Sequence, residues 1–103
     1  MQWHKILIKR TLQSHKADFG HVLAVGASTG LSGALSLTAL ACLRSGAGSV
    51  TVGVPRDLNA VFEVKLTEVM SLPLESRMGV LSERAFIRIK GFIAARKVNV
   101  LAL

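Results

Sequence analysis

Between His21 and Val54 the chain reads HVLAVGASTGLSGALSLTALACLRSGAGSVTVGV, and this stretch narrows the choice of fold most. His21 to Val25 is a short apolar run of β-favouring residues, the mark of a buried strand. A turn of small residues follows from Gly26 to Ala34. An apolar helix is predicted from about Ser32 to Ser45, ending at Gly46, where a left-handed cap suits glycine. Ser49 to Val54 reads as a second strand. Strand, helix and strand make a βαβ unit, which requires parallel strands joined by a right-handed crossover. The unit also aims free backbone N–H groups and the positive helix end at whatever lies above the turn. An anionic group such as phosphate is the natural guest.

The totals limit what can surround that unit. A chain of 103 residues makes one small domain with a modest core. It divides into an N-terminal segment (1–20), the βαβ unit (21–54) and a helix and strand continuation (55–103). Half of the residues are hydrophobic, and the mean hydropathy is +0.47. The longest apolar run, Leu31 to Leu43, falls short of the roughly 20 residues that a membrane span needs. The first ten residues lack the small-residue cleavage site of a signal peptide. The single cysteine, Cys42, excludes an internal disulfide and fits a reducing compartment, so a cytoplasmic location is expected. Net charge is +7, from 13 basic and 6 acidic residues. Arg44 and Arg56 cancel Asp57 and Glu63 within 21–64, so the excess lies in the first twenty residues and after Lys65. With no tyrosine and no stacking motif, nucleic acid is a poor partner.

Further along, Pro55 ends the second strand, and Asp57 is placed to cap a short helix through Ala60, Val61 and Val64. Leu66 to Leu74 is mixed, and Pro73 argues against a central strand there. Ser82 is read as the cap of a helix whose inner side carries Ala85, Phe86, Ile89, Phe92 and Ile93. Val98 to Leu103 reads as a third strand. In open α/β sheets the ligand lies beyond the carboxyl ends of the strands, so the chain reads as cut where a functional loop should begin.

Glycines at 26, 30 and 33 permit a tight turn and close backbone approach by a ligand, although a plain strand-to-helix connection would use them too. Their spacing is not G-x-G-x-x-G. Val25-Gly-Ala-Ser-Thr-Gly-Leu31 resembles the opening of the short-chain dehydrogenases, but the next glycine comes one position late. No acidic residue ends the second strand, while Arg56 could face a 2′-phosphate. His15-Lys16 is either a cationic pair at the mouth of the site or an exposed loop. His4, His15 and His21 are scattered, with no thiolate or carboxylate at metal spacing, so no metal site is expected. Cys42 is read as inert core.

Taken in order, Arg10, then Ser14-His-Lys-Ala-Asp-Phe-Gly-His-Val-Leu-Ala-Val-Gly-Ala-Ser28, Ser32-Gly-Ala34, Leu43-Arg-Ser-Gly-Ala-Gly48, Val50-Thr-Val52 and Pro55 resemble the ADP-dependent NAD(P)H-hydrate dehydratases. Lys65-Leu-Thr-Glu-Val-Met70 is similar to that family's Pro-Glu-Val-Met stretch, with Thr67 in place of proline. Ala17 stands where the family has glycine, and Gly26-Ala27-Ser28 where it has Gly-Gly-Ser. The resemblance implies part of a ribokinase-like, Rossmann-like α/β three-layer sandwich. It implies that NADH or NADPH hydrated on the nicotinamide ring is restored while ADP becomes AMP and phosphate. ADP (ATP in some members) would be the driving nucleotide, with Mg2+ as its companion, neither held tightly by this chain alone. Ala34 maps onto a substrate contact, with Gly33 and Ser28 beside it. A small residue at 34 lets a bulky ligand approach the helix end, or merely suits helix packing.

The family's later Gly-Pro-Gly, His-Pro-Gly-Glu and Gly-Thr-Gly-Asp segments do not occur in these residues. No catalytic or nucleotide-binding residue is therefore assigned to this chain, which alone is expected to be inactive. The resemblance implies NAD(P)H hydrate as substrate, a complementary C-terminal portion as partner, and a homo-oligomeric whole enzyme with neither nucleic acid nor membrane as partner. The alternatives are a short-chain-dehydrogenase-like NADP-binding fragment and a non-catalytic interaction fragment.

Overall fold

The computed structural model describes residues 19–26, 32–78 and 80–103. Arg10, His15-Lys16 and Ala17 lie outside them. The elements in order are β1 (His21–Val25), α1 (Ser32–Arg44), β2 (Ser49–Pro55), a 3-10 turn (Arg56–Leu58) and α2 (Asn59–Lys65). They continue with β3 (Met70–Leu74), β4 (Ser76–Arg77), β5 (Val80–Leu81), α3 (Ala85–Arg96) and β6 (Val100–Ala102). The main sheet has the order β3-β2-β1-β6, and each neighbouring pair is parallel. β1 and β2 pair from His21↔Ser49 to Val25↔Gly53, as the βαβ reading requires.

Strand alternation sorts the core into two layers. Ala24, Val50, Val52 and Val54 pack with Leu35 and Ala39 of α1 and Phe62 of α2. Leu23, Val25, Leu72 and Leu74 pack on the opposite face with Ala85 and Ile89 of α3. Helices therefore cover both faces of a parallel sheet, a three-layer α/β arrangement. Gly53 matters to the α3 layer. A Cβ there would stand 3.0 Å from Leu74 Cδ1 and 3.1 Å from Val25 Cγ2, so the two flanking strands close over the missing side chain.

The turns explain how the elements meet. Gly46 has φ +108°. Its N–H donates to Leu43 O at 3.2 Å, and Ala47 N–H donates to Cys42 O at 3.2 Å. This double bond pattern satisfies the last carbonyls of α1 and turns the chain towards β2. Where β1 begins, His21 N–H donates to Asn99 Oδ1 at 2.9 Å, and Asn99 N–H donates to His21 O at 2.9 Å. That pair joins the start of β1 to the approach of β6.

Several local expectations are corrected. The mixed stretch contains β3, with Pro73 opposite Val54. β3 is an edge strand of the described sheet, where a missing donor breaks no central ladder. Asp57 lies inside the 3-10 turn and accepts a bond from Ser76 Oγ at 3.1 Å. The cap position of α2 is Leu58, which makes no side-chain cap bond. Ala60, Val61 and Val64 face outward while Phe62 is buried. Ser82 Oγ donates to Glu75 O at 3.0 Å rather than capping, and Arg84 holds the cap position of α3. Phe86 is 67% exposed, outside the inner face assigned to it. Among the described residues no helix is long and apolar enough to cross a membrane.

Replacing Phe62 with alanine should cost about 3–5 kcal/mol, whereas Val64→Ala should stay within about 0.5 kcal/mol. Urea unfolding of the two variants checks which face of α2 is inside. Leu37 of α1 is 72% exposed, and Val100 and Leu101 of β6 are 53% and 42% exposed. Such surface invites association, so the isolated chain should elute heavier than a monomer in size-exclusion chromatography with light scattering. A monomer that melts cooperatively would contradict this.

Candidate functional site at the carboxyl edge of the sheet

The parallel strands deliver their carboxyl ends, Val25, Pro55, Leu74 and Ala102, to one edge. β1 leads into α1 on one face, while β6 is reached from α3 on the other. The boundary between β1 and β6 is thus where the connections change face, the place where open α/β sheets form a ligand crevice. Gly26 N–H donates to Gly53 O at 3.1 Å, so the chain follows the sheet one residue past β1 before leaving it. The first turn of α1 carries Ser32, Gly33 and Ala34.

Gly33 and Ala34 are both exposed there. A Cβ built on Gly33 meets nothing within 4 Å among the described residues. Ser28, the third substrate-facing residue expected from the sequence, lies outside the described residues, as does Gly30. The reason offered for the glycines changes. Gly26 and Gly33 are not among the residues with positive φ, and a Cβ on Gly26 would make only an ordinary contact, 3.9 Å from Leu35 Cδ1. Neither position demands glycine through strain or crowding.

Side chains fix this turn from two directions. Ser36 Oγ donates to Ser32 O at 3.0 Å, and Thr38 Oγ1 donates to Ala34 O at 2.9 Å. Lys65 Nζ, at the end of α2, donates to Ser32 Oγ at 3.3 Å. A cation therefore stands beside the amino end of α1, where the helix dipole favours negative charge. Sequence reasoning missed Lys65 because the crossover, and no local pattern, carries it to a residue 33 positions away. Arg56 is exposed in the turn that follows β2. At the start of α2, Asn59 Nδ2 donates to Glu63 Oε1 at 3.2 Å. Asn59 Oδ1 is buried and has no hydrogen-bond donor among the described residues. Among the described residues the edge brings Lys65, Arg56 and the amino end of α1 together, the means to attract an anionic molecule.

The remaining candidates lie elsewhere. His21 sits at the amino end of β1 with its Nε2 2.8 Å from Thr51 Oγ1. Cys42 is half-buried near the far end of α1. Among the described residues no three His, Cys, Asp or Glu side chains gather as a metal site.

A family model described as NAD(P)H-hydrate dehydratase matches residues 22–98. The bifunctional NAD(P)H-hydrate repair enzyme Nnr of Moorella thermoacetica is 43% identical over 98 residues, covering 94% of this chain and 18% of that protein. The ADP-dependent (S)-NAD(P)H-hydrate dehydratase of Streptococcus pneumoniae is 37% identical over 73 residues, covering 71% of this chain and 25% of that protein. The chain thus spans a quarter or less of the length of these relatives. A ribokinase-like superfamily protein of Enterococcus faecalis superposes with a TM-score of 0.60 at 22% identity, over 89% of this chain and 39% of that one. That likeness identifies the fold as ribokinase-like. The family match over β1 through α3 decides between the two resemblances: the chain belongs to the NAD(P)H-hydrate dehydratase family.

Proposed function

We propose that this chain forms the substrate-facing part of an ADP-dependent NAD(P)H-hydrate dehydratase, with Ala34, Gly33 and Ser28 lining the approach of the hydrated nicotinamide. The reading rests on the family match from 22 to 98. The exposed first turn of α1 at the carboxyl edge agrees with it. The reaction balances. The hydrate loses the elements of water from its ring, and those elements reappear in the phosphate when ADP becomes AMP. In this proposal the N–H groups of α1 and the Lys65 ammonium face an anionic part of the bound reactants, and the small side chain of Ala34 leaves room for the ring. The described residues offer no acidic cluster suited to Mg2+, and no step is assigned to that ion.

The nucleotide-binding and catalytic residues are proposed to come from sequence beyond these 103 residues, joined in a cytoplasmic, homo-oligomeric enzyme. Catalysis needs both reactants held together in reacting geometry. Mixing the chain with hydrated NADH and ADP should therefore give no recovery of NADH absorbance. Supplying the complementary portion of the Moorella relative should restore it. In that reconstituted sample Ala34→Phe should lower kcat/KM by about tenfold or more, with little change in stability because the residue is exposed. Turnover by the chain alone, or an unaltered kcat/KM in the variant, would refute the proposal.

A further inference from the structure

A second cavity opens at the other end of the sheet, under α3 and over the amino ends of β1, β2 and β3. Its volume is about 260 Å³, and its walls include Thr51, Met70, Phe92, Arg88, Arg96 and His21. An engineered apolar cavity of about 150 Å³ takes up benzene, so this space suits a six-membered ring carrying one substituent. Arg88, Phe92 and Arg96 follow one another at i, i+4 and i+8, which sets them in one stripe of α3. The stripe sets Phe92 between Arg88 and Arg96, whose Cα positions are about 12 Å apart along the helix axis.

The polar groups are built in. Thr51 is 1% exposed, and its hydroxyl is 2.8 Å from His21 Nε2. The His21 ring meets Phe92 edge-on, with centroids 5.7 Å apart. Arg88 Nε donates to Pro73 O at 3.0 Å, which anchors that guanidinium over β3 and leaves its terminal nitrogens free of described partners. Among the described residues no carboxylate lines the cavity, and neither Arg88 nor Arg96 has an ion-pair partner. Two unneutralised guanidiniums beside a partly apolar wall call for an oxyanion attached to a flat apolar body.

We propose that this cavity is a second binding site, distinct from the carboxyl edge, for a small ring-bearing oxyanion of the aromatic carboxylate class. Arg96 holds the anionic group, Arg88 adds positive charge at the other end of the cavity, and Met70 and Phe92 cover the ring. The test titrates the full 103-residue chain with benzoate and, separately, with inorganic phosphate, following the Thr51 amide and the arginine Nε–H signals by NMR. Benzoate should bind saturably. Arg96→Gln should weaken it at least about fivefold. Lys90→Gln removes an exposed charge of α3 outside the cavity and should leave it unchanged. Phosphate binding as tight as benzoate would overturn the ring-bearing occupant. Lack of saturable binding by either, or equal effects of the two substitutions, would overturn the site.

Discussion

Parallel pairing of β1 with both β2 and β6 is the constraint on which the rest depends. Parallel neighbours cannot be joined by a tight hairpin, so each pairing forces the chain to cross back over a face of the sheet. α1 and α2 cross on one face and α3 on the other, which buries β1 and β2 from both sides. The same pairing sends every carboxyl end to one edge. The site at that edge and the cavity at the opposite one thus follow from a single choice of strand direction.

Features governed by neighbouring residues were legible in the sequence. Glycine ends α1 in the left-handed conformation expected of it, and the strand, helix and strand from His21 to Pro55 stand as read. Features governed by distant packing were not. Phe86 belongs to an apolar run, but the inner face of α3 runs through Ala85 and Ile89, and Phe86 falls outside it. In α2 the neighbouring valines suggested one face, and Phe62 selected another by filling the space under β2. Ser82 has the residue type of a cap, yet Glu75 O lies closer to hand and takes its hydroxyl. Pro73 correctly opposed a central strand while concealing an edge strand.

The candidate site divides along the same line. Gly33 and Ala34 follow β1 closely in sequence, and local reasoning placed them at the amino end of α1. Lys65 and Asn59 reach that edge only through the second crossover, and neither carries a motif. His21 and Arg96 are further apart still in the sequence, and only the packing of α3 on the sheet puts them around one cavity. Topology, more than residue type, decides which of these positions come together.

The clasp between His21 and Asn99 has a consequence for the order of assembly. It joins residues 78 positions apart, whereas the first β1–β2 partners, His21 and Ser49, are 49 − 21 = 28 apart. Closing the longer loop costs about 0.9 kcal/mol more by chain entropy alone, and contacts of high sequence separation slow folding. Chain entropy alone thus favours pairing of β1 with β2 over the docking of β6. The crevice between β1 and β6 exists only once β6 has docked, so the candidate edge depends on the contact that costs the chain most entropy to close.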